Sequence, residues 1–272
     1  MSLKDSIPPP LRRWLAQRKA GTTALSRKVG HKLGLGKKIW EKALPEEISF
    51  CDDFIGSRGA SYGAEEEFAF RIDPSSQLQP WLAEYLNAPT GSTVKILDVG
   101  AGPLTWVGKK HEGWTVEIEA IDPLAESYDK ALDGNDVVPP VRTVKGNGED
   151  IVEIFGKEVF DITFARNCLD HAFDAVKAVR DMVEATKPGG IMCLWHQQDE
   201  AERMAYHGLH QWNFHAENGE LTLSSPNVKV NVNKEFASKL QCLRCELAND
   251  WSVFSSAREM EEGMIEAVYR RL

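Results

Sequence analysis

From residue 93 onward the chain alternates short apolar runs with amphipathic stretches. The runs occupy residues 94–99, 116–121, 141–144, 160–165 and 191–195. Between the last two, Val176, Val179 and Val183 recur at helical spacing, and Lys187-Pro188-Gly189-Gly190 is a helix stop. Apolar runs separated by helical segments are the pattern of strands covered on both faces, so the spacing predicts a doubly wound, mainly parallel α/β sheet. Residues 240–247 and 251–254 read as two further strands, making seven, and residues 257–271 as a closing helix. Residues 212–215, 220–223 and 228–232 alternate like strands around Asn218-Gly219, a strong tight-turn signal. They predict a β-hairpin or small meander inserted after strand five, over residues 206–235.

Upstream the pattern is helical. Residues 45–92 read as a helical lead-in, with Trp81, Leu82, Tyr85 and Leu86 on one face and Ala88-Pro89-Thr90-Gly91 as the stop. Pro8, Pro9 and Pro10 bar a helix before Leu11, after which Leu11, Trp14 and Leu15 share a face. Leu25, Val29 and Leu33 make a second, weaker stripe, broken by Gly34 and Gly36. The division expected is an arm over residues 1–44, a lead-in over 45–92 and a main domain over 93–272.

Charge changes the picture of that arm. Residues 1–42 hold eleven Lys and Arg against Asp5 and Glu41, whereas the rest of a chain of net charge -9 is strongly acidic. An acidic body is a poor tracker of a nucleic-acid backbone, which makes nucleic acid an unexpected partner. The arm is either a solvated helical extension or a contact for an anionic membrane surface or anionic acceptor, since Trp14 with flanking arginines is an interfacial pattern. No run approaches the roughly 18 apolar residues of a membrane span. The first residues show no secretory signal, and five scattered cysteines suit reduced thiols, so a cytoplasmic protein is expected, peripheral to a membrane if the arm binds one.

The segment richest in chemistry is Ile96-Leu97-Asp98-Val99-Gly100-Ala101-Gly102-Pro103. Glycines after a first strand let the backbone turn sharply and approach a ligand closely, and the turn offers free N–H groups. Ala120-Ile121-Asp122-Pro123 places a carboxylate at the end of the second strand, where it can accept from a ribose diol. Asp98 could equally be a buried cap of the following turn, and Asp122 an N-cap. Gly146-Asn147-Gly148-Glu149-Asp150 follows strand three, and Arg166 and Asn167 close strand four.

Over roughly residues 93–195 these segments resemble the class I S-adenosylmethionine-dependent methyltransferases. ILDVGAGP is similar to that family's first motif, AIDP to its second-strand acid, GNGEDI to the loop beside the adenine, and KPGG to the turn before strand five. The resemblance implies a Rossmann-like fold, S-adenosyl-L-methionine as cofactor and methyl transfer as the activity. It further implies that Asp98, Gly100, Gly102 and Pro103 hold the methionine end and that Asp122 and Pro123 meet the ribose. Asn147, Gly148 and Glu149 would lie at the adenine edge, with Arg166 and Asn167 flanking the methyl. Asn147 departs from the Asp common there, although its carbonyl can still accept from an amino group.

Methyl transfer needs an aligned acceptor and often one base. His171 and His196 fall at the ends of strands four and five, where open parallel sheets bind ligands, and are the candidate bases or orienters. His207, His210, Trp212 and Asn213 are the candidate acceptor contacts, with core packing of the hairpin as the competing reading of this string. His207, His210 and His215 match no common zinc spacing, and no metal is expected. The acceptor expected is a sugar, glycan or other metabolite hydroxyl. Two further classes stay open: a nicotinamide-dependent oxidoreductase or epimerase, whose fingerprint wants a third glycine where Thr105 stands, and a non-catalytic cofactor-binding scaffold.

Overall fold

The computed structural model describes residues 28–30, 33, 36–248 and 263–272. Residues 28–30 are helical, and the helices that follow are α1 (Gly36–Gly56), α2 (Glu65–Ile72) and α3 (Pro80–Ala83). The main domain then runs β1 (Thr93–Val99), β2 (Thr115–Asp122), α4 (Ala125–Gly134), β3 (Val144–Lys145), α5 (Ile151–Phe155), β4 (Phe160–Arg166), α6 (Ala175–Ala185) and β5 (Thr186–Gln197). After α7 (Glu200–Arg203) come β6 (Asn213–Glu217), β7 (Glu220–Ser224), β8 (Lys229–Asn231), α8 (Val232–Glu235), β9 (Leu240–Leu247) and β10 (Met264–Arg271).

The main sheet has seven strands in the order β3-β2-β1-β4-β5-β10-β9. The first five are parallel, and β10 runs antiparallel to both β5 and β9. The expected doubly wound sheet is therefore present. The chain reverses direction across the sheet between β1 and β4, both of which pair with parallel neighbours, and this is the switch point at which such sheets bind ligands. The central strands β4 and β5 are buried on both faces: α6 lays Val176, Val179, Met182 and Val183 on one side, while Leu82, Trp106 and Val107 cover Phe164 and Trp195 on the other. On that second side the rings of Trp81, Trp106, Phe164 and Trp195 pack at centroid distances of 5.0 to 6.2 Å.

Two expectations change. The closing helix over residues 257–271 is not formed in its second half: Met264–Arg271 is a strand whose first six residues are all buried. Met264, Ile265 and Val268 share helical spacing, but the β-branched and aromatic run sits between two strands and is covered on both faces. Residues 251–254, expected as a strand, lie outside the described residues. Strand three is Val144–Lys145 rather than 141–144, because Arg142 turns outward to Asp129 and Asp133 and Thr143 bonds the Gly102 carbonyl.

The inserted element is a three-stranded antiparallel sheet, β6-β7-β8, and Asn218 and Gly219 both take left-handed φ in its first turn. Phe214, Leu221 and Leu223 join it to the α6 side of the core. Helix α1 spans the boundary placed between residues 44 and 45. Phe54 and Ile55 of α1 pack with Phe68 of α2, Leu104 and Leu132 of α4, holding α1 over the ends of β1 and β2. The amphipathic stretch expected around Leu11 to Leu15 lies outside the described residues. Among the described residues no helix is long and apolar enough to cross a membrane.

Candidate functional site

Two adjoining chambers open at the switch point. The first, about 470 Å³, has the glycine loop as its floor. Gly100 and Gly102 have φ of 66° and 63°, the left-handed region that favours glycine. At Gly100 a Cβ would come within 2.5 Å of the Cys168 Cβ, so the loops after β1 and β4 touch there. The Gly100 and Ala101 N–H groups donate to the Ile121 carbonyl at 2.8 and 3.1 Å, tying the loop to the end of β2.

That strand end delivers Asp122, 8% exposed. Its two carboxylate oxygens accept from the Gly102 and Leu124 N–H groups at 3.2 and 2.8 Å. Burial nevertheless pushes its pKa up to about 7, outweighing these bonds. Farther along the wall lie Asn147, Gly148, Glu149 and Asp150. Asn147 donates its amide to Asp150, and Glu149 accepts from the Asp174 N–H, its own pKa raised by burial. Helix α1 forms the roof with Lys37, Trp40, Leu44 and Glu47, and the Trp40 indole donates to the His171 carbonyl at 2.7 Å.

The second chamber, about 660 Å³, shares Glu47, Gly100, Gly102, Asn167 and His171 with the first. Its far wall is polar and aromatic. The Glu67 carboxylate accepts from Arg71 and, at 3.1 Å, from Arg166. Burial alone would raise the Glu67 pKa, but the two guanidinium groups outweigh it and pull it down. The Arg166 guanidinium lies over the rings of Trp106 and Trp195 at 4.7 and 5.7 Å.

This geometry redistributes the residues expected to hold the cofactor. Gly100, Gly102, Asp122, Pro123, Asn147, Gly148, Glu149 and Asn167 line the first chamber. Arg166, Pro103 and Asp98 line the second instead. Arg166 is turned there by Glu67 and the two indoles. Asp98 accepts from the Thr105 hydroxyl at 2.6 Å and is the internal cap of the loop, with burial pushing its pKa up to about 6.

The histidines separate as well. His171 lies at the junction, lining both chambers, and His210 lines the second. His196 lines neither: β5 continues to Gln197, so His196 is buried in the strand, stacked on Phe214 at 4.0 Å, with its pKa lowered to about 4 by burial. Its neighbour Gln197 reaches the second chamber. His207 is half-exposed, near Glu46, and lines neither chamber. Trp212 is a core residue whose indole donates to the Ala172 carbonyl, and Asn213 is buried, accepting from the Glu202 N–H and donating to the Tyr206 hydroxyl. Of the string 206–214, Leu209 and His210 line a chamber.

Several lining residues were not singled out in the sequence: Trp40, Leu44 and Glu47 in the roof, and Glu67, Arg71, Trp106 and Glu200 in the second chamber. The roof carries a legible signal, because Trp40, Leu44, Glu47, Cys51 and Phe54 follow helical spacing.

A glycine floor at a switch point, a buried carboxylate at the second strand end and an adjoining polar chamber are the arrangement of a Rossmann-like nucleotide-binding fold. The first chamber fits such a cofactor, since Asp122 ends at its wall and no protein atom lies within 4 Å of where a Gly102 Cβ would stand. Residues 97–194 match the family model of the methyltransferase domain. Those residues form a methyltransferase domain, which implies S-adenosylmethionine as its cofactor.

Among solved structures it is similar to an S-adenosylmethionine-dependent methyltransferase from Mesorhizobium loti, at 14% identity and a TM-score of 0.42, over 71% of this chain and 96% of that one. It is also similar to one from Clostridium acetobutylicum, at 10% identity and a TM-score of 0.44, over 82% and 97%. No curated sequence relative matches.

Proposed function

We propose that the second chamber holds the acceptor, that the acceptor is a small metabolite or sugar, and that the methyl goes to one of its hydroxyl oxygens. The observation that carries this reading is His171, which lies on the wall common to both chambers and is flanked by Asp170 and His210. An acceptor group in the second chamber meets the transferred carbon at that junction, so the residues there orient it and ease loss of its proton.

S-adenosylmethionine supplies, when bound, a methyl made electrophilic by its sulfonium. Gly100, Gly102, Asp122 and Asn147 to Asp150 hold and orient it, and α1 excludes water above. The acceptor oxygen loses its proton to water or a carboxylate of the chamber and gains the methyl. The carbon–sulfur electron pair stays with sulfur. Glu46, Glu47, Glu67 and Glu200 give the chamber many acceptors for a polyhydroxylated ligand, and Trp106 gives it an apolar face.

The test uses labelled cofactor with a panel of sugars, hydroxy acids, phenols and amines, followed by identification of the methylated atom. An O-methyl product, with turnover lowered about tenfold or more by His171→Gln at little change in cofactor affinity, supports the reading. Methylation confined to nitrogen or carbon would remove it.

A further inference from the structure

We propose that Asp170, His171 and His210 form a binding site for one divalent transition-metal cation, of the Mn²⁺ to Zn²⁺ series, at the junction of the two chambers. The three atoms that would bind it are Asp170 Oδ2, His171 Nε2 and His210 Nδ1. His210 Nδ1 lies 2.7 Å from Asp170 Oδ2 and 3.1 Å from His171 Nε2, and the third side of the triangle is 3.3 Å. Ligands about 2.1 Å from a metal stand about 3.0 Å apart when cis in an octahedron and about 3.4 Å apart in a tetrahedron. The triangle fits one face of an octahedron, and two imidazoles with one carboxylate on such a face suit these ions better than the all-oxygen sites of Mg²⁺ or Ca²⁺.

Hydrogen bonding alone does not account for the arrangement. Each imidazole nitrogen presents either a proton or a lone pair, and the carboxylate presents lone pairs. If both nitrogens carry protons, two N–H groups face each other. If one does, the other nitrogen opposes the carboxylate lone pair to lone pair, and with none all three sides are repulsive. A cation seated above the triangle, about 2.1 Å from each atom, replaces the unavoidable clash with three attractive contacts.

Asp170 is 1% exposed, and its second oxygen, Oδ1, has no hydrogen-bond partner among the described residues. Further negative charge stands close by: Glu200 Oε1 is 3.8 Å from His210 Nδ1, and Glu47 Oε2 is 3.9 Å from His171 Nδ1. Glu47 faces the far nitrogen of His171, the place of the usual outer partner of a metal-bound histidine, whereas Glu200 faces the binding nitrogen of His210 itself. The backbone fixes the set in advance. The Asp170 carbonyl accepts from both the Gln211 and Trp212 N–H groups, at 2.8 and 3.1 Å, which clamps the turn carrying Asp170 and His171 to the loop carrying His210.

His171 and His210 both line the second chamber, so the remaining coordination positions are reached from the acceptor side. The inference thereby deepens the hydroxyl reading and rests on it for the cation's role. A hydroxyl oxygen in one of those positions gives up its proton more readily, because the cation stabilises the oxyanion. The binding site itself does not depend on the acceptor's identity.

The test titrates the chelator-treated full chain with Mn²⁺ and Zn²⁺, reading binding by calorimetry and, for Mn²⁺, by loss of the free-ion paramagnetic signal. One ion per chain is expected, with affinity lowered at least about tenfold by His210→Gln and by Asp170→Asn. His207→Ala, which alters a half-exposed imidazole outside the cluster, should leave it unchanged. Retained stabilisation by S-adenosylhomocysteine shows that a variant is folded, and His210→Gln keeps the test open if Asp170→Asn is not. Absence of saturable binding, or equal binding by wild type and His210→Gln, overturns the site. Methylation confined to nitrogen or carbon in the acceptor panel would instead overturn the hydroxyl reading and leave the cation site standing.

Discussion

On the proposed cofactor site, Asp122 sets ligand binding against stability. A ribose diol donates to an ionised carboxylate, yet burial holds the folded-state pKa at about 7, against an ordinary value of 3.8. A raised acid pKa means that the folded chain keeps a proton the unfolded chain has already lost. Stability from this group therefore falls as pH rises from about 4 to about 7 and levels off above. Cofactor affinity moves the other way. Binding of S-adenosylhomocysteine should strengthen up to about tenfold between pH 6 and pH 8, following the ionised fraction of Asp122. In Asp122→Asn both pH dependences should flatten, and affinity at pH 8 should drop by about 1 to 3 kcal/mol. Calorimetry across that range checks the prediction, and an unaltered pH slope in the variant would reassign the slope to another group. At the same scale, the residue types and their spacing made Asp122 and the glycines legible. They did not separate His171 from His196, because two extra residues of β5 decide which of the pair reaches a chamber, and strand ends are weakly encoded in local pattern. Nor could spacing show the Asp170, His171 and His210 triangle, whose members stand 40 positions apart between Asp170 and His210 and meet through a backbone clamp.

Helix α1 begins in the basic segment and covers the first chamber. It places Lys37, Trp40, Leu44 and Glu47 over the first chamber, and Trp40 also ties it to the His171 carbonyl. Truncation before residue 36 should leave cofactor affinity within about twofold. Truncation through residue 42 removes Lys37 and Trp40 and should weaken it about tenfold or more, the scale of a lost hydrogen bond together with a lost apolar contact. Equal affinities for the two truncations would show that the roof is not part of the site. The segment before β6 divides in a similar way. Trp212 is 5% exposed in the core, so Trp212→Ala should cost about 3 kcal/mol or more of stability, read as a lower melting temperature. His210→Ala should cost less stability than that, through the lost partner of buried Asp170, and reduce turnover about tenfold or more. Helical spacing in α1 and the Asn-Gly turn before β7 could be read directly. The strand β10 could not, since a run buried on both faces carries no two-residue alternation to distinguish it from a helix.

Across the whole molecule, the loops after β1, β2, β4 and β5 converge at one edge of the sheet, and the two chambers share a wall there. The order of apolar runs makes that edge legible in the sequence. The Glu67, Arg71 and Arg166 group was hidden, because Arg166 meets Glu67 across 99 positions and the contact depends on how the lead-in folds over the sheet. Since so many separate segments build the first chamber, an occupant must stabilise the fold as a whole, and this can be measured. A ligand at 100 times its Kd adds about 2.7 kcal/mol when the unfolded chain does not bind it. With about 2.1 cal/mol/K of unfolding entropy per residue over 272 residues, S-adenosylhomocysteine should raise the melting temperature by about 5 °C. NAD should give no comparable rise, because Thr105 replaces the third glycine of a dinucleotide loop and donates to Asp98. Linkage to Asp122 adds a further condition: the rise should be larger at pH 8 than at pH 6. A rise of equal size in wild type and Asp122→Asn at both pH values would place the ribose away from the end of β2.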